Sequence, residues 1–277
     1  MKLRSLLFVP ADRPERFTKA AASGADALIL DLEDSVAAEK KEAGRAAIAQ
    51  WLAEKRPVTT FVRVNPLDGG LTQADLAAIL PGQPDGLVLP KAEGAASVEA
   101  LLAMMGDASL PILPIATETP AAIFHLGSYA RVGGHLAGLT WGAEDLPAAI
   151  GATTSREADG RYTPPYEMVR GLTLFGAHAA GVAAIETVFP RIDAPDALAT
   201  YVARARRDGF TGMMAIHPAQ VAAINAGFTP SAQERAAAQA IVDAFAQNPG
   251  VGALKVGGKM VDRPHLIMAQ RTLALAG

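Results

Sequence analysis

Acidic and basic residues stand directly after short apolar runs along most of this chain, and their types suit work on an anionic, oxygen-rich substrate. Asp31, Glu33 and Asp34 follow one run. Arg63 and Asn65 follow the next, then Lys91, Glu118, Glu144 with Asp145, Glu186, and finally His217 ahead of Pro218. A single charged loop residue is usually just solvated. Charges after nearly every run point to one shared mouth, where carboxylates need a guanidinium, an ammonium or a metal among them. Glu118 and Asp145 follow neighbouring runs. Two hard oxygen ligands leave room for waters and a chelating substrate, which is how Mg²⁺ is usually held. The competing reading of this pair is a helix cap or a salt bridge at a rim. Arg63 suits an anion clamp, since guanidinium grips carboxylate in a bidentate fork. Lys91 invites a Schiff-base reading, which the surrounding carboxylates oppose because they hold it as a cation. Arg13, Arg16 and Lys19 recur every third residue and either meet phosphates or form a solvated helix face. The five His show no His-x-x-x-His spacing and there is no Cys, which argues against zinc.

The elements that must position these residues are legible as an alternation. Near-continuous apolar runs cover Leu3–Val9, Ala27–Leu30, Thr59–Val64, Gly86–Leu89, Pro111–Ala116, Leu136–Thr140, Val182–Glu186 and Gly212–Ile216. Such runs mark parallel strands covered on both faces. Helical stretches lie between them, including Arg13–Ser23, Glu39–Glu54, Ser97–Met105 and Pro164–Ala179. Strand and helix alternating to a count of eight predict an α/β fold, a closed (β/α)8 TIM barrel, with an open doubly wound sheet as the alternative. The length of 277 residues agrees, since such barrels take about 250. A further helix spans Ser231–Gln247. Then Gly252, Gly257 and Gly258 flank a short β-like piece, and His265–Leu275 reads as a last helix. The expected organisation is a catalytic barrel over 1–247 and a C-terminal lid segment and helix over 248–277, whose glycines act as hinges or as turns.

Composition narrows the function classes. Half of the residues are hydrophobic and 19% are charged, enough apolar surface to exclude a disordered chain. The absence of cysteine excludes disulfides and thiolate catalysis. The opening MKLRSLLFVP is too soon interrupted by Pro10, Asp12 and Arg13 to read as a signal peptide, and no run approaches the length of a membrane span. A cytoplasmic protein is expected. The net charge of −3 offers no basic surplus for nucleic acid.

Seven blocks in order carry a more specific signal: RSLLFVPADRPERF (Arg4–Phe17), SGADALILDLEDSV (Ser23–Val36) with Lys41 and Arg45, VRVNPL (Val62–Leu67), LPKAE (Leu89–Glu93), IATETP (Ile115–Pro120), WGAEDL (Trp141–Leu146) and AIHPAQV (Ala215–Val221). With these blocks the chain resembles the citrate lyase β-subunit-like, or HpcH/HpaI aldolase/citrate lyase, family across nearly its whole length. The resemblance implies that Glu118 and Asp145 hold Mg²⁺, for which Mn²⁺ can substitute. It implies that Arg63 binds keto-acid or enolate oxygens, and that Asp31, Glu33 and Asp34 support the metal's waters and Arg63. The N-terminal loop and first helix, with Arg13, Arg16 and Lys19, would contact coenzyme A, and Lys91 is counted with these binding residues. One departure is Ala11, where many members have Gly after FVP. The segment Met260-Val261-Asp262-Arg263-Pro264-His265 is similar to the lid of stand-alone CoA lyases, where an Asp handles the proton on the acyl carbon from a neighbouring subunit.

The resulting expectation is a Mg²⁺-dependent carbon–carbon lyase acting on malyl-CoA, methylmalyl-CoA or citramalyl-CoA, assembled as a homo-oligomer, a trimer or a dimer of trimers. The alternatives are a thioesterase or malate synthase-like activity in the same pocket, a citryl lyase subunit acting on acyl carrier protein, and a non-catalytic scaffold.

Overall fold

The computed structural model describes residues 1–275, which form two compact units, one up to Ile224 and one from Asn225 onward. In the first, eight strands are joined in parallel: β1 (Ser5–Pro10), β2 (Ala27–Asp31), β3 (Thr59–Arg63), β4 (Gly86–Leu89), β5 (Ile112–Pro114), β6 (Leu139–Thr140), β7 (Ala184–Glu186) and β8 (Gly212–Ala215). They run in the order β5-β4-β3-β2-β1-β8-β7-β6. Parallel bridges pair Ile112 with Leu136 and Ile115 with Thr140, and the Ala116 N–H donates to the Thr140 carbonyl at 2.9 Å. Those contacts join β5 to β6 and close the sheet into the expected TIM barrel. All eight expected strands are present: β4 has the expected bounds, β2 runs one residue longer, β1 is shifted toward its C-terminal end, and the other five are trimmed by a few residues.

The helices between the strands are α1 (Phe17–Ala21), α2 (Lys41–Ala53), α3 (Thr72–Ile79), α4 (Ala95–Met105), α5 (Pro120–His125), α6 (Leu146–Ile150), α7 (Pro164–Ala179), α8 (Pro195–Asp208) and α9 (Pro218–Phe228). The first helical stretch is broken: a 3₁₀ turn at Pro14–Arg16 precedes α1, so Arg13 lies outside any helix. Among the described residues no helix is long and apolar enough to cross a membrane.

Strand periodicity sets what reaches the mouth. Leu6, Ala27, Ile29, Phe61, Val88, Leu113, Ile185 and Met214 pack together inside the barrel. Side chains two residues apart share a face. Asp31 follows Ile29 by two and Arg63 follows Phe61 by two, so both rise from the apolar plug into the mouth. Glu186 follows Ile185 by one and therefore points the other way. The expectation that Glu186 joins the mouth is corrected: it is fully buried in the helix layer, accepting from Trp141 Nε1 at 2.5 Å and Arg170 Nε at 2.7 Å. Arg170 also donates to Asp208 at 2.7 Å. Removing one partner of such a buried pair costs about 3–5 kcal/mol, so this is a structural pin between β7, α7 and α8.

The second unit contains α10 (Ala232–Gln247), a hairpin of β9 (Ala253–Val256) and β10 (Lys259–Asp262), and α11 (Arg263–Ala274). It takes in α10 together with the tail from 248, and α10 and α11 pack on one another. A Ser231–Glu234 capping box starts α10. Gly257 and Gly258 have φ of +55° and +82°, as a two-residue hairpin turn demands, so this pair turns the chain rather than flanking a single β piece. Asp262 accepts from the His265 N–H and caps α11.

Candidate active site

At the ends of β2 and β3, Arg63 donates two hydrogen bonds to Asp31, both at 2.6 Å. Asp31 also accepts the backbone N–H of Glu33 at 2.9 Å and of Ser35 at 3.3 Å. Burial alone would raise the Asp31 carboxyl, but the guanidinium beside it holds it below the ordinary carboxylate range. Arg63 in turn is pulled further toward the cation by Asp31, then Glu33 and Glu118, against the effect of its own burial. Its guanidinium lies 4.8 Å above the Phe8 ring. A bidentate partner below and an aromatic face beside it fix the fork in one orientation.

Glu33 bridges two cations. Its Oε1 accepts from Lys91 Nζ at 2.5 Å, and its Oε2 lies 2.8 Å from Arg63 Nη1, off any good hydrogen-bond direction. Burial still raises its carboxyl, despite Arg63 and Lys91. Asp34 is exposed and stands 3.7 Å from Lys91 Nζ. Burial would make Lys91 easier to neutralise, yet the hydrogen bond to Glu33 raises it on balance. A lysine held as an ammonium is no Schiff-base nucleophile.

Glu118 and Asp145 come together from the loops after β5 and β6. Glu118 is buried, and it accepts the Lys91 backbone N–H at 2.6 Å. Burial pushes its carboxyl up to about 8, and the adjacent Asp145 adds to the rise. Gly142 makes the approach possible, since a Cβ there would stand 2.6 Å from Glu118 Cγ. Thr117 Oγ1 and the Gly142 backbone exchange hydrogen bonds at 3.1 and 3.2 Å, stapling the two loops. Two adjoining carboxylates, one of them buried, are a poor pair of bare anions and a good seat for a hard divalent cation. Among the described residues no cluster of three or more His, Cys, Asp or Glu could hold a metal, so such a cation would keep water or substrate oxygens in its remaining positions.

Residues without an expected role brace this mouth. Lys41 Nζ donates to the carbonyls of Leu32 and Glu33 at 2.8 and 3.0 Å. Asp75 of α3, fully buried, accepts from Asn65 Nδ2 and Arg45 Nε, both at 2.7 Å. The sequence signal for Asp75 was weak, being one carboxylate in a helix that did not stand out as periodic. His217 accepts from the Ala219 N–H at 3.2 Å and so caps α9 rather than acting as a base.

The cationic expectations divide. Arg16 and Lys19 line a cavity of about 450 Å³ with Phe8, Pro10, Ile216 and His217. Arg13 is exposed and outside that lining. The Ala11 methyl is buried against Gly44 of α2, so it does not crowd the loop's open side. Asp262 sits in the second unit with His265 Nδ1 at 2.5 Å.

The HpcH/HpaI aldolase/citrate lyase model matches residues 4–218, most of the chain. The chain belongs to this family. A second model, a C–C bond lyase of the TIM-barrel fold, matches residues 165–277, and the chain is a carbon–carbon lyase of that fold. It is similar to the (3S)-malyl-CoA thioesterase of Cereibacter sphaeroides, 33% identical over 99% of this chain and 94% of the relative. It is similar to the mitochondrial citramalyl-CoA lyase of Rattus norvegicus, 30% identical over 99% of this chain and 86% of the relative. Among solved structures it resembles protein CitE from Mycobacterium tuberculosis in complex with magnesium, acetoacetate and coenzyme A, at 36% identity and a TM-score of 0.82, covering 99% of this chain and 98% of that one.

The raised Glu118 carboxyl makes a pH prediction. An acid whose folded pKa lies near 8 against an ordinary 4.5 keeps its proton in the folded state while the unfolded state loses it. Stability therefore falls as pH rises through that window. Urea unfolding of metal-free protein should find Glu118→Gln gaining on the native sequence between about pH 5 and about pH 8.5. A stability difference that stays constant over that range contradicts the assignment.

Proposed function

We propose that this enzyme cleaves a malyl-CoA-like hydroxyacyl-CoA thioester into a 2-ketoacid and an acyl-CoA. The observation that carries the reading is the pairing, in one mouth, of two adjoining carboxylates with a guanidinium already fixed in position. Glu118 and Asp145 are the residues proposed to hold Mg²⁺, or Mn²⁺ in its place. When bound, the ion supplies a Lewis acid that favours the alkoxide and orients the bond to be broken. Arg63 binds the oxygens on which negative charge develops, and its clamp by Asp31 means little reorganisation as the charge appears. The hydroxyl gives its proton to water at the mouth, the carbon–carbon bond breaks to leave the ketoacid, and the electron pair passes to the thioester as an enolate, so the proton lost from oxygen is matched by the one later taken up at carbon. The enolate carbon then takes a proton, a step assigned to Asp262. Arg16 and Lys19 are proposed to meet the coenzyme's phosphates in the cavity beside β1 and β8. Arg13, at the surface just before, is a secondary contact.

Malyl-CoA and citramalyl-CoA release ketoacids that differ by one methyl, which a pocket separates by only about 1–3 kcal/mol. The name of the Cereibacter relative favours a second reading, thioester hydrolysis in the same pocket. The proposal also takes the protein to be cytoplasmic and a homo-oligomer, a trimer or a dimer of trimers, whose 248–277 segment acts as a lid over a neighbouring mouth. Exposed Met168, Leu172 and Phe175, spaced along one face of α7, support an association surface.

Incubation with Mg²⁺ and a panel of hydroxyacyl-CoA esters should release glyoxylate or pyruvate together with the matching acyl-CoA. Free malate or citramalate as the first product would favour hydrolysis. Turnover undiminished after exhaustive chelation would remove the metal from the mechanism.

The shared lid has its own test. Asp262→Asn and Glu118→Gln should each be inactive alone, and co-refolded hetero-oligomers should recover part of the activity. No recovery in hetero-oligomers shown to form would place Asp262 outside a neighbour's site.

A further inference from the structure

We propose that Lys91 is a positioning residue that ties the carboxylate pair to the anion clamp, through two separable parts of itself. The inference rests on the reading of Glu118 and Asp145 as the metal site. Lys91 stands at φ +50°, and among the described residues Gln83 is the only other non-glycine with positive φ. Lysine disfavours that region, so something must hold it there.

The β4–β5 ladder indicates what the turn achieves. The Ile115 N–H donates to the Leu89 carbonyl at 2.8 Å, and the Ala92 N–H donates to the Ile115 carbonyl at 3.3 Å. Between them, the Lys91 N–H leaves the ladder and donates to Glu118 Oε2 at 2.6 Å. The loop that follows is pinned from below. Buried Tyr129 accepts from the Gly94 N–H at 3.1 Å and donates to the Ala92 carbonyl at 3.2 Å. The positive φ is thus fixed from both sides, and its product is one aimed amide.

The side chain works separately. Lys91 Nζ meets Glu33 Oε1 at 2.5 Å, and the other oxygen of Glu33 lies 2.8 Å from Arg63 Nη1. The backbone of Lys91 orients Glu118, while its ammonium orients Glu33 and through it Arg63. Lys91 is therefore assigned to holding the site together rather than to contacting the coenzyme.

Backbone and side chain can be separated by substitution. Lys91→Met keeps an unbranched side chain and the amide but removes the charge. Lys91→Gly removes the side chain and accepts positive φ freely. Lys91→Val is branched at Cβ and is a poor occupant of positive φ. Mn²⁺ affinity, read by electron paramagnetic resonance without substrate, should stay within about threefold of the native value in the Met and Gly variants and weaken about tenfold or more in Val. The value of kcat at saturating Mn²⁺ should fall about tenfold or more in Met, because Glu33 loses the ammonium that holds it in place beside the Arg63 guanidinium. If Val fails to fold, Lys91→Thr takes its place as a milder branched residue. Native Mn²⁺ affinity in the folded branched variant overturns the backbone part. An unchanged kcat in Met overturns the side-chain part. A native protein that binds no Mn²⁺ overturns the metal reading itself, and this inference with it.

Discussion

Two carboxylates share one small space at the barrel mouth, and most of the surrounding structure answers to that. Glu118 is buried and Asp145 adjoins it, so as bare anions they repel and one keeps its proton. A chain selected for stability alone would place an apolar side chain here. Gly142 instead leaves room for the approach, and the Thr117–Gly142 staple holds the loops that deliver it. The arrangement is costly in isolation and favourable once a cation sits between the two groups. Strain of this kind belongs to sites that bind rather than to cores.

The opposite charge is handled by the opposite device. Arg63 is neutralised before any substrate arrives, with Asp31 in a fork and Glu33 beside it. A guanidinium so held cannot swing away to solvent, which keeps its remaining donors aimed into the mouth. Behind this front rank, Lys41 and the Arg45–Asp75–Asn65 chain fix the loops after β2 and β3. The apolar plug of Ile29, Phe61 and Val88 lies inside the barrel beneath. These layers hold the Arg63 side of the mouth, while the Thr117–Gly142 staple and the Lys91 N–H hold the carboxylate side.

Much of this was legible in the sequence because parallel barrel strands are buried on both faces and read as apolar runs. The charges that end those runs stand out for the same reason. Parity was the information left unread: Asp31 and Arg63 are in step with inward residues, whereas Glu186 is one out of step and serves the helix layer. Partners brought together by tertiary packing, such as Asp75 with Asn65 and Arg45, carry no local pattern at all. The positive φ of Lys91 was likewise invisible, since no glycine marked the turn. In the tail, the Gly257–Gly258 pair signalled a break, but only pairing of Ala253–Val256 with Lys259–Asp262 made it a hairpin.

The central claim is that the mouth joins a metal held by Glu118 and Asp145 to an anion held by Arg63. Crystals grown with Mn²⁺ and a 2-ketoacid, and measured at the manganese absorption edge, address it directly. The account predicts one anomalous peak bonded to a carboxylate oxygen from each of Glu118 and Asp145. The ketoacid should complete the metal's coordination and accept hydrogen bonds from Arg63. A peak elsewhere, or a ketoacid bound away from Arg63, would contradict it.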